Sequence, residues 1–168
     1  LGKEAKFELK GGDIELPENN WDEIFQQLIH AVRNSMDHGL EGKEERMANG
    51  KNPMGTITFE FKKTVDSLKI SISDDGRGID WEKIAAKDPN VKSEEDAIKK
   101  IAMGGISSKD QVSDISGRGV GVSSVIQTAM KRGGKIGIVN KKGQGLTINL
   151  TLPLRTSKKS NTRILKVA

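Results

Sequence analysis

The architecture of this chain follows from Leu68-Lys69-Ile70-Ser71-Ile72-Ser73-Asp74-Asp75-Gly76-Arg77-Gly78, in which apolar and polar residues alternate and then give way to two acids and two glycines. Alternation with a period of two predicts a strand with one buried face. A similar run from Thr56 to Phe61 precedes it and predicts the partner strand. The sequence therefore predicts a pair of strands whose second member ends in a carboxylate.

The segments on either side extend this pair into a complete domain. Phe7–Leu9 and Ile14–Leu16 flank Gly11-Gly12 and predict a short hairpin. Further predicted strands cover residues 135–139 and 146–152, and shorter helices cover residues 43–49, 81–86, 94–103 and 122–131. A long first helix ends at Gly39 and is predicted from an apolar stripe formed by Trp21, Ile24, Phe25, Leu28, Ile29, Val32 and Met36. This order predicts an α+β fold, a two-layer sandwich with helices on one face of a mixed, mostly antiparallel sheet.

Composition limits the classes of protein to which the chain can belong. Its 168 residues suffice for one domain with its own core, 30% of them are charged, and no apolar run approaches the roughly 20 residues of a membrane span. There is no cysteine, which excludes disulfides and thiolate sites and fits a reducing compartment. The net charge of +5 comes from the tail after Leu154, because the remaining 23 basic and 23 acidic side chains cancel. We therefore expect no nucleic-acid surface and no membrane contact.

The polar face of the first helix is a candidate site for a metal ion and a proton. At about 100° per residue, His30, Arg33, Asn34 and Asp37 lie opposite the apolar stripe. A solvated face is the plain alternative, but Asn, His and Asp are poorer helix formers than the usual surface residues. Mg²⁺ prefers oxygen ligands, so the Asn34 carbonyl together with phosphate oxygens predicts a magnesium site. His30 is then a candidate to accept or orient a proton, and His38 either touches the ligand or caps the helix.

Asp74 is a candidate ligand for a nucleobase. A carboxylate at a strand end can accept a hydrogen bond from the exocyclic amine of adenine, which guanine lacks at that position. Gly76 and Gly78 would let the backbone pass close to a flat ring. The alternative is an ordinary Asp-Gly turn with no ligand.

The glycine-rich stretch before residue 122 is a candidate phosphate site. We predict a loop from Gly104 to Gly121, and Gly117-x-Gly119-x-Gly121 then directly precedes an apolar helix. Free backbone N–H groups and the positive end of a helix favour phosphate. Ser107, Ser108 and Lys109 would reach phosphate oxygens from the loop, although Lys109 is equally well explained as a solvent-exposed charge. The stretch is not a P-loop, because no Gly-Lys-Ser/Thr follows the glycines.

In this order, these segments resemble the ATP-binding domains of the GHKL superfamily, which includes sensor histidine kinases, DNA gyrase and MutL. The segments His30-x-x-Arg33-Asn34-x-x-Asp37-His38-Gly39, Glu44-Glu45-Arg46 with Gly50-Lys51, and Val112 to Gly121 resemble most the catalytic domain of chemotaxis sensor kinases of the CheA type. The resemblance covers roughly residues 5–154. It implies the Bergerat fold of these ATPases, with 1–154 as the catalytic domain and 155–168 as a basic linker or the start of a following domain.

The resemblance also implies the cofactors and the site residues. ATP and Mg²⁺ are the expected cofactors, with Asn34 as the metal ligand and His30, Asn34 and Lys83 as catalytic residues; Lys83 is equally well explained as a surface charge. The expected nucleotide-binding residues are Asn34, Asp37, His38, Asp74, Gly76, Gly78, Ile79, Ser107, Ser108, Lys109, Gly117, Gly119, Val120 and Gly121.

The implied function is transfer of the γ-phosphoryl group of ATP to a histidine on a separate domain, in cytoplasmic two-component signalling. A histidine-containing phosphotransfer domain would be the acceptor, and dimerisation and regulatory domains would be further partners, with the chain itself monomeric. His30 stands where gyrase and MutL carry a water-activating Glu, which disfavours ATP hydrolysis. Ala102 and Ile106 stand where the family usually carries aromatics before its lid. This absence makes a nucleotide-sensing module with little catalysis one alternative. A serine kinase, which would use the same pocket on a different acceptor, and an ATPase are the others.

Overall fold

The computed structural model of the protein describes residues 3–17, 21–103, 116–154 and 166–167. In chain order its elements are β1 (Ala5–Lys10), α1 (Asp22–Asn34), a π-helical turn (Ser35–Gly39), α2 (Lys43–Ala48), β2 (Gly55–Lys63), β3 (Ser67–Asp74), α3 (Trp81–Ala85), α4 (Glu94–Ala102), α5 (Ser116–Lys131), β4 (Lys135–Lys141), β5 (Gly145–Pro153) and β6 (Lys166–Val167). No helix in the described ranges is long and apolar enough to span a membrane.

The strands form one mixed sheet in the order β1-β2-β3-β5-β4-β6. The three central pairings are antiparallel, whereas β1 and β6 join the two edges in parallel to β2 and β4. The predicted two-layer α+β architecture is confirmed. The register sets Asp74 opposite Ile57 and its neighbour Ser73 opposite Thr147, so Asp74 lies at the end of a central strand.

The core lies between the helices and one face of the sheet. Alternate residues of β3 and β5 are buried on that face, while Lys69, Ser71 and Asn149 belong to the opposite, polar face. Each large aliphatic side chain buried in this way contributes roughly 1.5–3 kcal/mol. The fully buried side chains include Ile24, Ile57, Leu68, Ile70, Ile98, Ile126, Ile138, Leu150 and Leu152.

Two predictions about the elements at the start of the chain are wrong. Residues 14–16 form no strand, and β1 pairs instead with β2, with Phe7 opposite Ile57. Alternation identifies a strand but carries no information about a partner distant in sequence. The buried stripe of α1 consists of Ile24, Leu28 and Ala31, whereas Ile29 is 64% exposed. The helix is therefore rotated from the predicted orientation.

Candidate functional site

A small cavity lies where α1, β3 and α5 converge. It encloses about 20 Å³, which is room for about one water molecule. Three polar side chains, Asn34, Ser35 and Asp74, lie among otherwise apolar or glycine walls; the lining residues are Ala31, Asn34, Ser35, Gly39, Ile72, Asp74, Val122, Leu146 and Ile148.

The Asp74 carboxylate is held in a defined orientation in this cavity. Its Oδ1 accepts a hydrogen bond from the Gly76 N–H at 3.0 Å, and its Oδ2 accepts one from the Ser35 hydroxyl at 3.1 Å. The side chain is half-buried. Each carboxylate oxygen has two lone pairs, so a carboxylate can accept several donors, an amine among them.

Asn34 contributes an amide to the same cavity from the last residue of α1. Its Nδ2 donates to the His30 carbonyl at 2.7 Å, one helical turn earlier. Within the described residues its Oδ1 accepts no hydrogen bond. A side chain held through its nitrogen, with its carbonyl oxygen unused, fits the oxygen ligand that Mg²⁺ requires.

A π-helical turn extends α1 and carries two of the lining residues, Ser35 and Gly39. The Leu40 N–H donates to the Ser35 carbonyl at 2.7 Å and closes the wide turn. Such single turns are rare and occur frequently at functional sites. The sequence predicted that the helix ends at Gly39, but it did not predict that the last turn is π-helical.

The glycines after Asp74 are required by close backbone packing. A Cβ on Gly76 would lie 2.2 Å from the Gly39 carbonyl oxygen, and the Arg77 N–H donates to that same oxygen at 3.0 Å. Gly78 has a φ of +67°, and a Cβ there would lie 2.6 Å from the Lys141 carbonyl oxygen. These contacts tie the turn to the π-helical turn on one side and to β4 on the other.

Asn140 on β4 holds the end of the same loop. Its Oδ1 accepts from the Ile79 N–H at 2.6 Å, and its Nδ2 donates to the Ile79 carbonyl at 3.0 Å and to Glu94 Oε1 at 2.5 Å. Sequence reasoning missed this residue. No signal near Asn140 could have linked it to Ile79, because the two are brought together only by the fold.

The remaining predicted residues of α1, the π-helical turn and α3 lie outside the cavity lining. His30, Asp37 and His38 have exposed side chains. The Lys83 side chain is 84% exposed, and its ammonium lies 3.8 Å from Asp80. Asn34 alone, of the four polar residues predicted to share a helix face, is among the residues that line the cavity.

The predicted phosphate segment is only partly described. Ser107, Ser108 and Lys109 lie outside the described residues. The prediction that a loop continues to Gly121 is wrong, because α5 begins at Ser116 and its first turns contain Gly117, Gly119, Val120 and Gly121. The first N–H groups of a helix lack partners within the helix and are the kind that bind anions; Gly117 belongs to this first turn, whereas Gly121 lies deeper in the helix.

A buried ionic cluster, formed by Glu41, Arg46, Lys51 and Asp75, lies directly behind the Asp74 turn. Arg46 and Glu41 are 1% and 3% exposed, and their side chains are 3.1 Å apart. Lys51 Nζ lies 2.7 Å from Glu41 Oε1. Burial acts to raise the pKa of Glu41, but hydrogen bonds from Lys51 and the backbone, with the charges of Lys51 and Arg46, lower that pKa below its ordinary value of 4.5. Nothing in the sequence around Arg46 and Lys51 predicted this role.

Several proteins named Chemotaxis protein CheA are similar to this chain over most of its length. The protein from Rhizobium meliloti is 38% identical over 91% of this chain, and that from Listeria monocytogenes is 38% identical over 94%. A gliding motility regulatory protein from Myxococcus xanthus is 37% identical over 90% of the chain. The chain spans 21%, 27% and 21% of these relatives, so it matches about a quarter of their length or less.

Solved structures of histidine kinases share the fold. The catalytic domain of histidine kinase ThkA aligns with a TM-score of 0.55 at 21% identity, covering 90% of this chain and 79% of that one. The histidine kinase domain of the blue-light activated EL346 protein from Erythrobacter litoralis aligns with a TM-score of 0.53 at 15% identity, covering 89% and 55%. The family described as histidine kinase-, DNA gyrase B-, and HSP90-like ATPases matches residues 19–156. The chain belongs to this family of ATPase domains, and among its members it is similar to the CheA proteins.

Proposed function

We propose that this chain binds Mg²⁺-ATP and supplies the catalytic domain of a protein histidine kinase, which transfers the γ-phosphoryl group to a histidine on a separate domain. The observation that carries the proposal is the convergence of Asn34 and Asp74 on one cavity, although they lie on different elements. Asp74 would accept the adenine amine, and the Asn34 oxygen would hold Mg²⁺ together with phosphate oxygens.

Bound Mg²⁺ would neutralise charge on the phosphates during transfer. The chain's own residues would bind and orient the nucleotide: Asp74 would fix the base, and the N–H groups at the start of α5 would bind the phosphates. In the transfer, a nitrogen of the acceptor imidazole forms a bond to the γ-phosphorus while the bond to the β,γ-bridging oxygen breaks and ADP leaves. We propose that His30 orients the incoming imidazole, and that Lys83 and Lys109 approach the phosphates.

We also propose that the reaction involves further domains of the whole protein. The relatives are about four to five times longer than the matched segment, which is consistent with an acceptor domain, a dimerisation domain and regulatory domains in the whole protein. A cytoplasmic location is consistent with the reducing compartment that a cysteine-free sequence fits. A nucleotide-sensing module remains the second candidate, because Ala102 is buried in the core where the family usually carries an aromatic residue before the lid.

The test incubates the chain with radiolabelled Mg²⁺-ATP and a histidine-containing phosphotransfer domain. Acid-labile label on that domain is the expected result. Acid-stable label indicates a serine kinase, release of free phosphate indicates an ATPase, and binding without turnover indicates the sensing module. A variant of the acceptor domain with its histidine replaced by Gln is the matched control and takes up no label.

Asp74→Asn is expected to weaken ATP binding by about 1–3 kcal/mol, because an amide leaves a poorly matched group where the amine needs a full acceptor. Isothermal titration calorimetry measures the change. Asp66→Asn is the control, since Asp66 is an exposed acid in the turn between β2 and β3. Unchanged affinity in the Asp74 variant would remove this residue from the base site.

A further inference from the structure

We propose that Arg46 and Lys51 are positioning residues for recognition of the base. They clamp the two peptide groups that follow Asp74 and thereby fix the direction of its carboxylate. The assignment of adenine to that carboxylate rests on the proposed function, whereas the clamp itself is carried by contacts of the unliganded chain.

Lys51 directs two of its three ammonium donors into the turn after Asp74 and the third to Glu41. Nζ donates to the Asp75 carbonyl at 2.9 Å, to the Gly76 carbonyl at 2.8 Å and to Glu41 Oε1 at 2.7 Å. An ammonium has three donors and no acceptor, so these bonds satisfy it completely. Two of the three acceptors are the carbonyls immediately after Asp74, whose Oδ1 is bound by the N–H of Gly76.

The Arg46 guanidinium holds the same turn by donating to both the side chain and the backbone carbonyl of Asp75. Nη2 donates to Asp75 Oδ2 at 2.9 Å, and Nη1 donates to the Asp75 carbonyl at 3.3 Å and to Glu41 Oε2 at 3.1 Å. The other Asp75 oxygen, Oδ1, accepts from the Thr56 N–H at 2.9 Å, which ties the turn to β2. Asp75 is therefore bound from both sides, and the conformation of the preceding residue is constrained.

Because its charges balance, the ionic cluster is stable only when all four side chains are in place. Two cations and two carboxylates share one cluster in which Arg46 and Glu41 are almost fully buried. Removing one member of a buried cluster leaves a charge without compensation, so partly formed arrangements are costly. The segment from Glu41 to Lys51 thus acts as a rigid brace for the strand end. The donors of Arg46 and Lys51 bind the backbone carbonyls of Asp75 and Gly76, and these directional hydrogen bonds fix the position of the turn.

The first test measures the clamp without nucleotide. Lys51→Met removes three donors and keeps the aliphatic stem. We expect the amide of Gly76, and that of Arg77, which is bound to the Gly39 carbonyl, to exchange with deuterium at least about tenfold faster, the equivalent of one lost hydrogen bond of ordinary strength. Lys51→Arg retains donors and should restore most of the protection. Unchanged exchange in Lys51→Met overturns the proposal.

The control is Lys63→Met, because Lys63 also donates to a backbone carbonyl, that of Glu15, but at the opposite end of β2. Exchange at Gly76 should be unaffected in this variant. Arg46 is less suitable for replacement, since its loss leaves the buried Glu41 opposed by Lys51 alone.

The second test separates positioning from a general loss of structure. We compare the affinity for ATP with that for inosine triphosphate, which carries a carbonyl in place of the 6-amine. Lys51→Met should reduce the preference for ATP by about tenfold, the equivalent of one positioned hydrogen bond. Equal weakening of both nucleotides indicates a merely structural role and overturns the proposal. If the native chain binds neither nucleotide, the proposed function fails, while the exchange measurement still decides whether the clamp exists.

Discussion

Asn34 and its neighbours on α1 show how residue type and position together define a site. Asn34 ends the regular helix and lines the cavity, while Arg33 beside it is exposed. The sequence identified Asn34 because Asn is an uncommon choice for a solvated helix face. It could not separate Asn34 from His30 and Asp37, because a rotation of the helix by a few tens of degrees decides which of them faces the sheet.

Asn34→Ala is expected to abolish the dependence of ATP binding on magnesium while leaving the fold intact, because Ala is the best helix former. A magnesium titration of ATP affinity measures the effect, and circular dichroism confirms the fold. Arg33→Ala is the matched control and should retain the dependence. If ATP affinity in the Asn34 variant still depends on magnesium as in the native chain, Asn34 is not the metal ligand.

Glu41→Gln is expected to reduce the loss of stability in acid. The pKa of Glu41 is lower in the folded chain than its ordinary value of 4.5, so the unfolded chain binds more protons across that window. The contribution of this group to stability is therefore present above pH 4.5 and is lost as the pH falls through the folded pKa. Urea unfolding at about pH 6 and pH 3.5 measures the difference.

Glu45→Gln is the control for this experiment. Glu45 pairs with Arg77 at 3.0 Å, but both side chains are about half exposed, and such surface pairs contribute little. The loss of stability between about pH 6 and pH 3.5 should be the same in the Glu45 variant as in the native chain. A Glu41 variant that loses as much stability in acid as the native chain would show that the buried pairing does not lower its pKa.

At the scale of elements, the strands were the most predictable part of the molecule. β2, β3, β4 and β5 each alternate, so periodicity was sufficient to identify them as strands, although it could not pair β3 with the distant β5. The beginning of α5 was not predictable, because glycine is a poor helix former and three glycines suggested a loop. The ionic cluster was missed because Arg and Glu are usually exposed.

Asn140→Ala is expected to lower the free energy of unfolding by about 1–3 kcal/mol, because it leaves the N–H and carbonyl of buried Ile79 without their partners. Nucleotide affinity should fall as well, since the variant releases the loop after Asp74. Urea unfolding and calorimetry measure the two effects. Asn149→Ala on the exposed face of β5 is the control and should change neither quantity. Equal effects of the two replacements would contradict the role of Asn140.

At the scale of the whole molecule, the cavity lies where two helices meet the end of a central strand. Binding there would stabilise α1, α5 and the sheet together, because a ligand specific for the native state adds its binding free energy to that of folding. At one hundred times Kd the gain is about 2.7 kcal/mol. For a chain of this size, that corresponds to a rise in Tm of about 5–10 °C.

We therefore expect ATP with magnesium to raise the Tm, and GTP to leave it nearly unchanged, in a thermal-shift measurement at matched concentrations. ADP with magnesium should give a smaller or equal rise. Omission of magnesium should reduce the effect of ATP. Equal stabilisation by ATP and GTP would contradict selection of adenine by Asp74.

The parallel pairing of β1 with β2 has a consequence for the order in which the chain folds. The two strands are separated in sequence by α1, the π-helical turn and α2. Pairing them therefore closes a long loop, and the loss of conformational entropy precedes the formation of any hydrogen bond between the strands. The β2–β3 and β4–β5 hairpins close over short turns and meet no such cost. We therefore expect the N-terminal strand to join the sheet after these hairpins have formed, so that its stability depends on theirs.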